Sequence, residues 1–198
     1  MDKDTKYRRW NLRRTIVALA FGAAAFAAAF ALGFIITQTA GPGTSGLATI
    51  IVTTVLVVVG ARIALTKGVF TLMVTLFTIL AIPTNLFGPA GIHKVGVGFL
   101  TGVVYDLVWL ASGNRRFSIP IAAAISTTVS ILAIWQLMVV LEHPRAEWMG
   151  SVLMFIAPLY AVLGFLGGWF GNWVFDNRFK NNERVRQIQE PDTNAPQS

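Results

Sequence analysis

The sequence predicts an all-α integral membrane protein of six transmembrane helices, with its N- and C-termini both cytoplasmic. Three observations lead there. Of the 198 residues, 55% are hydrophobic and 13% charged, with a mean hydropathy of +0.63; a soluble domain carries about 25% charged residues. The apolar residues fall into six runs, most of them near the roughly 20 residues a helix needs to cross a bilayer. With the N-terminus inside, all but two of the 16 Lys and Arg residues, Lys94 and Arg145, fall on the cytoplasmic side, the asymmetry that orients membrane helices.

The elements follow in order. Residues 1–14 form a basic cytoplasmic N-terminus with Lys3, Lys6, Arg8, Arg9, Arg13 and Arg14, and Trp10 at interface depth. Residues 15–36 are an uninterrupted apolar run of 22 residues, longer than the core of about 7–15 residues in a secretory signal and so expected to be retained as a helix. An uncharged loop, TQTAGPGTSG, leads to a second span over 47–66, with Arg62 near its end and able to reach the interface. A third covers 68–87 and is bent or ended by Pro83. The fourth runs over 95–112, the fifth over 118–141 and the sixth over 148–170. Together 15–174 make one transmembrane domain, and 175–198 a polar tail expected to be disordered after a short helix.

The stretch from Asn85 to Leu107 carries the most information. It turns at Gly88 and Pro89, then enters a run in which Gly96, Gly98 and Gly102 thin one side for a close neighbour. Asp106 places a carboxylate inside an apolar segment, where an ionisable group demands a reason. At helical rise it lies about 17 Å from the outer end of its span, too deep for an outer pocket. A structural or coupling role is expected, paired with Arg62, Arg115 or Arg116.

Two further patterns stand out. In the first span Ala20, Ala24 and Ala28 repeat every fourth residue, beside a parallel stripe of Ala23, Ala27 and Ala31. Small residues let membrane helices approach closely, so this face serves either internal packing or a partner's helices. At the outer ends collect the groups a small ligand requires: Asn85, His93, Trp135, Gln136, Glu142 and Trp148. Binding sites combine an aromatic wall with a few orienting polar groups, and the competing reading is an aromatic belt with solvated loop charges. Trp135 and Trp148 suit a stacked aromatic ring, and Glu142 with Glu147 suits a cationic one. Thiamine-like or pyrimidine compounds fit that description, with riboflavin and biotin still open.

Other chemistry finds no constellation. The net charge of +7 sits at segment ends rather than along one face, which argues against a nucleic-acid partner. No GxxxxGK[ST] phosphate loop and no HExxH pair is present, and without cysteine there is no thiolate metal ligand or nucleophile. No cofactor or metal is expected, and the protein is not expected to be an enzyme.

Taken together these features resemble the substrate-binding S components of energy-coupling factor (ECF) vitamin transporters. The AxxxA face of that family is matched by Ala20, Ala24 and Ala28. Its FGPxxGxxxGxxxDL stretch compares with Phe87, Gly88 and Pro89, then Gly98, Gly102, Asp106 and Leu107, although IHKVGV is inserted between the turn and the later glycines. The resemblance implies a vitamin-class small molecule captured from outside beneath residues 37–46 and 142–148. It also implies a transmembrane coupling protein on the alanine face, cytoplasmic ATPase subunits that drive the cycle, and a location in the cell membrane. The alternatives are a membrane scaffold or assembly protein without a transported ligand, and a lipid-directed enzyme.

Overall fold

The computed structural model describes residues 9–40, 45–84, 90–112 and 117–190, and every regular element among them is a helix. These are α1 (Leu12–Ala40), α2 (Ser45–Ala64), α3 (Val69–Leu80), α4 (His93–Ala111), α5 (Ser118–Val140) and α6 (Ala146–Val174); a π-helical turn, Phe175–Phe179, leads on to α7 (Glu183–Gln189). α1, α4, α5 and α6 are each long and apolar enough to cross a membrane. Around them lies a coat of exposed large apolar side chains, Phe34, Leu107, Phe155 and Trp169 among them, a surface far more apolar than a soluble protein presents to water.

The third run departs from expectation. It is helical only over Val69–Leu80, 12 residues or about 18 Å of helix against a hydrocarbon core of about 30 Å. The chain then tightens into turns in which Ile82 N–H donates to Ile79 and Thr84 N–H to Ala81, with Pro83 between them. Proline disfavours helical geometry in the residue before it, so the helix ends early. α4 starts at His93, two residues sooner than the hydropathy run suggested.

The helices close a ring: α1 packs on α2, α2 on α6, α6 on α5, α5 on α4, α4 on α3, and α3 on α1. Both ends of the described chain sit at one end of this ring, the base. There Trp10 Nε1 donates to the Lys67 carbonyl (3.0 Å). The buried Arg14 guanidinium donates to the carbonyls of Ile188, Gln189 and Glu190 at 3.0–3.4 Å. A guanidinium on the last carbonyls of a helix satisfies acceptors that have no intrahelical partner, and here it ties α7 to α1. Val185 packs with Val59, Ile63 and Phe175. The tail, expected to be disordered after a short helix, forms the π-helical turn over 175–179 and α7 over 183–189, docked on α1 and α2; residues 191–198 lie outside the described residues.

Near the base the ring is filled. Phe70 stacks on Tyr105 (centroids 3.7 Å) and meets Trp109 edge-on at 5.1 Å, among Val58, Ala61, Met73 and Ala122. α6 enters this region between two neighbours. A Cβ at Gly168 would lie 2.9 Å from the Pro120 Cα of α5, and one at Gly171 would lie 2.8 Å from the Val58 Cβ of α2. Small residues on two sides of one helix let both partners approach, the close-packing route that serves where apolar association has little drive.

Asp106 has a definite structural role. Its carboxylate accepts from the Thr71 N–H (2.8 Å), the Thr71 hydroxyl (2.6 Å) and the Phe70 N–H (3.4 Å), so α4 caps the first turn of α3. Twelve residues earlier on α4, Lys94 donates its ammonium to the carbonyls of Ala81 and Thr84 just past the other end of α3. Two charges on α4 thus bracket the short antiparallel helix, anion on its N-terminus and cation on its C-terminus, as a helix dipole favours. Asp106 does not pair with Arg62, whose guanidinium binds Asn172 (2.7 Å) and Asp176 (3.0 Å) and lies over the Phe175 ring. Arg115 and Arg116 lie outside the described residues.

The expected glycine face holds only in part. A Cβ at Gly98 would meet the Thr78 side chain, and one at Gly102 the Thr71 backbone, but at Gly96 it would meet nothing within 4 Å. Residues 98 and 102 lie about one helical turn apart, whereas 96 and 98 differ by more than half a turn.

Candidate functional site

Away from the base the ring is hollow. A cavity of about 820 Å³ occupies that half, with all six long elements of the ring in its wall, a size within the roughly 300–1,000 Å³ usual for small-molecule sites. Val57 of α2 and Tyr105 of α4 are the lining residues nearest the base; Thr37, His93, His143, Arg145 and Trp148 line it toward the opposite end, the mouth. Bulky Phe70, Met73 and Trp109 fill the base, while beyond them the wall carries the hydroxyls of Thr53, Thr101, Ser126 and Thr127, followed toward the mouth on α5 by Ile134, Leu137 and Met138.

The hydroxyls of the wall share a habit. Thr101 donates to the Val97 carbonyl (2.7 Å), Thr49 to Gly46 (3.1 Å), Thr78 to Thr75 (2.9 Å), and Thr53 to Thr49. Ser126 reaches across to the Thr101 carbonyl (2.9 Å), and Thr127 to that of Tyr160 (2.9 Å). A hydroxyl has one proton and two lone pairs; with the proton held by backbone, what remains to a ligand is the oxygen as acceptor.

The mouth supplies the charge. Lys94 and Arg145 line it beside His93 and His143, and among the described residues no Asp or Glu lines the cavity. The Arg145 N–H donates to His143 Nδ1 at 3.2 Å, which places that imidazole's proton on Nε2 in the neutral form. Trp148 lines the cavity and is 59% exposed, an aromatic wall beside open space.

The residues expected to bind ligand are divided by the structure. His93 and Trp148 line the cavity. Trp135 and Glu142 do not: they line an adjoining cleft of about 610 Å³ between the ends of α5 and α6, together with Glu147, Gly150 and His143, which also lines the cavity. Trp135 buries its indole N–H there with no hydrogen-bond partner among the described residues. Glu142 leaves α5 with φ 50° and is exposed. Gln136 is exposed and lines neither space. The cause is helix phase: Ser130, Ile134, Leu137 and Met138 share the inward face of α5, and residue 136 lies more than half a turn from 134. Asn85, Gly88 and Pro89 lie outside the described residues.

On α1 the buried small residues are Ala18, Gly22, Ala25, Ala29 and Gly33. Ala20, Ala24, Ala27 and Ala31 are exposed, with Ala23 and Ala28 half-buried. The alanine stripes thus point largely away from the bundle, and a parallel stripe on the same helix packs within it.

Sequence reasoning passed over Lys94, Arg145, Tyr160 and the threonines of α2. One signal was present: Lys94 and Arg145 were the two exceptions to the charge asymmetry. No family model, curated protein or solved structure matches the chain, so the functional reading rests on the geometry above.

Proposed function

We propose that this protein is the membrane-embedded substrate-binding subunit of an importer of the energy-coupling factor type. In this reading the six helices of the ring cross the cell membrane with both termini in the cytoplasm. The observation that carries it is the cavity: six helices surround a space of ligand size, lined by orienting polar groups and reached from the end opposite the termini. The positive-inside asymmetry turns that end outward, as capture from outside requires. A short α3 is tolerable in such a ring because α1 and α4 flank it and Asp106 and Lys94 satisfy its ends. The ligand class proposed is a vitamin or a related small molecule.

Driving force has to come from elsewhere, since the sequence holds no phosphate-binding loop of the GxxxxGK[ST] form. A transmembrane coupling protein carrying ATPase subunits would supply it, docking on α1. Exposure of Ala20 and Ala24 supports this role for that face, because small side chains permit close approach by a partner helix. Ala24→Trp is expected to abolish uptake in cells that hold the coupling partners while leaving ligand binding by the purified protein within twofold. Retained uptake would remove the docking role of this face.

The reading is tested by native mass spectrometry of the detergent-purified protein, followed by binding measurements with a vitamin panel. A co-purified small molecule, displaced on filling the cavity by Ser130→Trp, is the expected result. A protein that carries no small molecule and binds none of the panel fits the scaffold alternative instead.

A further inference from the structure

The wall of the cavity has a sign. Of the 16 Lys and Arg residues, the two that depart from the prevailing side, Lys94 and Arg145, both line this cavity. Glu142 and Glu147, the acids nearest in sequence, line the adjoining cleft, which shares His143 with the cavity, and neither lines the cavity itself. Lys94 is 4% exposed and has no carboxylate within ion-pair distance among the described residues. Its ammonium is held by two carbonyls, those of Ala81 and Thr84. An ammonium carries three donors, so among the described residues one N–H has no acceptor and no counter-charge faces the group. A buried charge without a counter-charge is unfavourable, and the cavity is the space from which one can arrive.

We propose that the cavity takes a small carboxylate monoanion whose body carries N–H or O–H donors. The carboxylate lies at the mouth, where Lys94 and Arg145 supply the charge and His143 Nε2–H a further donor. The body extends toward the base, where the oxygens of Thr53, Thr101 and Thr127, their protons committed to backbone carbonyls, accept from it. A single negative charge fits better than a phosphate dianion: Lys94 is shared with two carbonyls, and Arg145 is exposed to solvent. This inference rests on the proposed function, naming the ligand class of the same site, and it reverses the cationic preference that Glu142 and Glu147 suggested from sequence.

The test uses the full chain purified in detergent and a thermal-shift panel of vitamin-sized compounds. The panel pairs each carboxylate with its primary amide, pantothenate and biotin included, and adds cations such as thiamine. The expected result is stabilisation by one or more carboxylates and loss of that stabilisation in the matching amide. Arg145→Gln is then expected to weaken the carboxylate by about tenfold, because hydrogen bonds between ionised groups are roughly twice as strong as neutral ones. Stabilisation chiefly by amides or cations, or a carboxylate indifferent to both amidation and Arg145→Gln, overturns the anion assignment while leaving the binding subunit in place. A panel with no binder in any charge class overturns the binding-subunit reading itself, and this inference with it.

Discussion

Asp106→Ala is expected to destabilise the protein by about 3–5 kcal/mol, because each buried donor left unpaired costs about 1–3 kcal/mol. The carboxylate accepts from two backbone amides and one hydroxyl at the start of α3, and alanine leaves all three without it. Against a total stability of about 5–15 kcal/mol for an ordinary domain, this is a large fraction. α3 is also the helix least able to absorb the loss. Its 12 residues are preceded by Gly68 at φ 77°, and no side chain of its own caps it. Asp106→Asn keeps one acceptor oxygen and is expected to lose less than the alanine variant. Unfolding in detergent micelles, by heat or by SDS titration and followed by circular dichroism, reads both. A carboxylate that served a proton or cation relay would behave differently: Asp106→Asn would then fold with unchanged stability and bind ligand, yet fail to transport.

Much of the architecture was legible because hydropathy and charge are properties of segments. The six apolar runs reappear as helices α1 to α6, four of them long and apolar enough to cross a membrane, and finding them required no knowledge of contacts. What escaped was what depends on helix phase or on a partner far along the chain. Trp135, Gln136 and Glu142 belong to the same end of the ring as Trp148, but α5 turns its Ser130–Ile134–Met138 face inward and leaves them out of the cavity. Asp106 was recognised as needing a reason, yet its reason is backbone amides 35 and 36 residues away, and amides are invisible to any search for a side chain of opposite charge. Arg62, one of the partners offered, binds Asp176 instead, in the tail expected to be disordered after a short helix. Nothing in the sequence sets Thr49 and Thr53 of α2 apart from the other threonines of that helix. Only the structure shows that several spend their protons on backbone and line a common space with oxygens.

Gly102→Ala is expected to destabilise the protein by about 2–3 kcal/mol, and Gly96→Ala to leave it unchanged or to stabilise it by up to about 1 kcal/mol. Both changes replace glycine with the best helix former in the same helix, so propensity favours both equally. Packing separates them. The new Cβ at 102 would lie 2.5 Å from the Thr71 Cα and 3.0 Å from its nitrogen, and these are backbone atoms that cannot swing aside. At 96 it meets nothing within 4 Å. The atoms displaced at 102 belong to the residue that donates both its amide and its hydroxyl to Asp106, so the two sites act on one contact. Pushing Thr71 away also loosens the cap, and removing the cap relieves part of the cost of pushing. The double variant Gly102→Ala/Asp106→Ala should therefore lose less than the sum of its parts, by about 0.5–3 kcal/mol of coupling, the range for residues that share a partner. Additive losses in the same unfolding assay would mean that α3 is positioned by something other than its cap. Coupled losses would mean that α4 holds α3 through one joint at Thr71, with Lys94 at the far end of the same helix holding the other end at the mouth of the cavity.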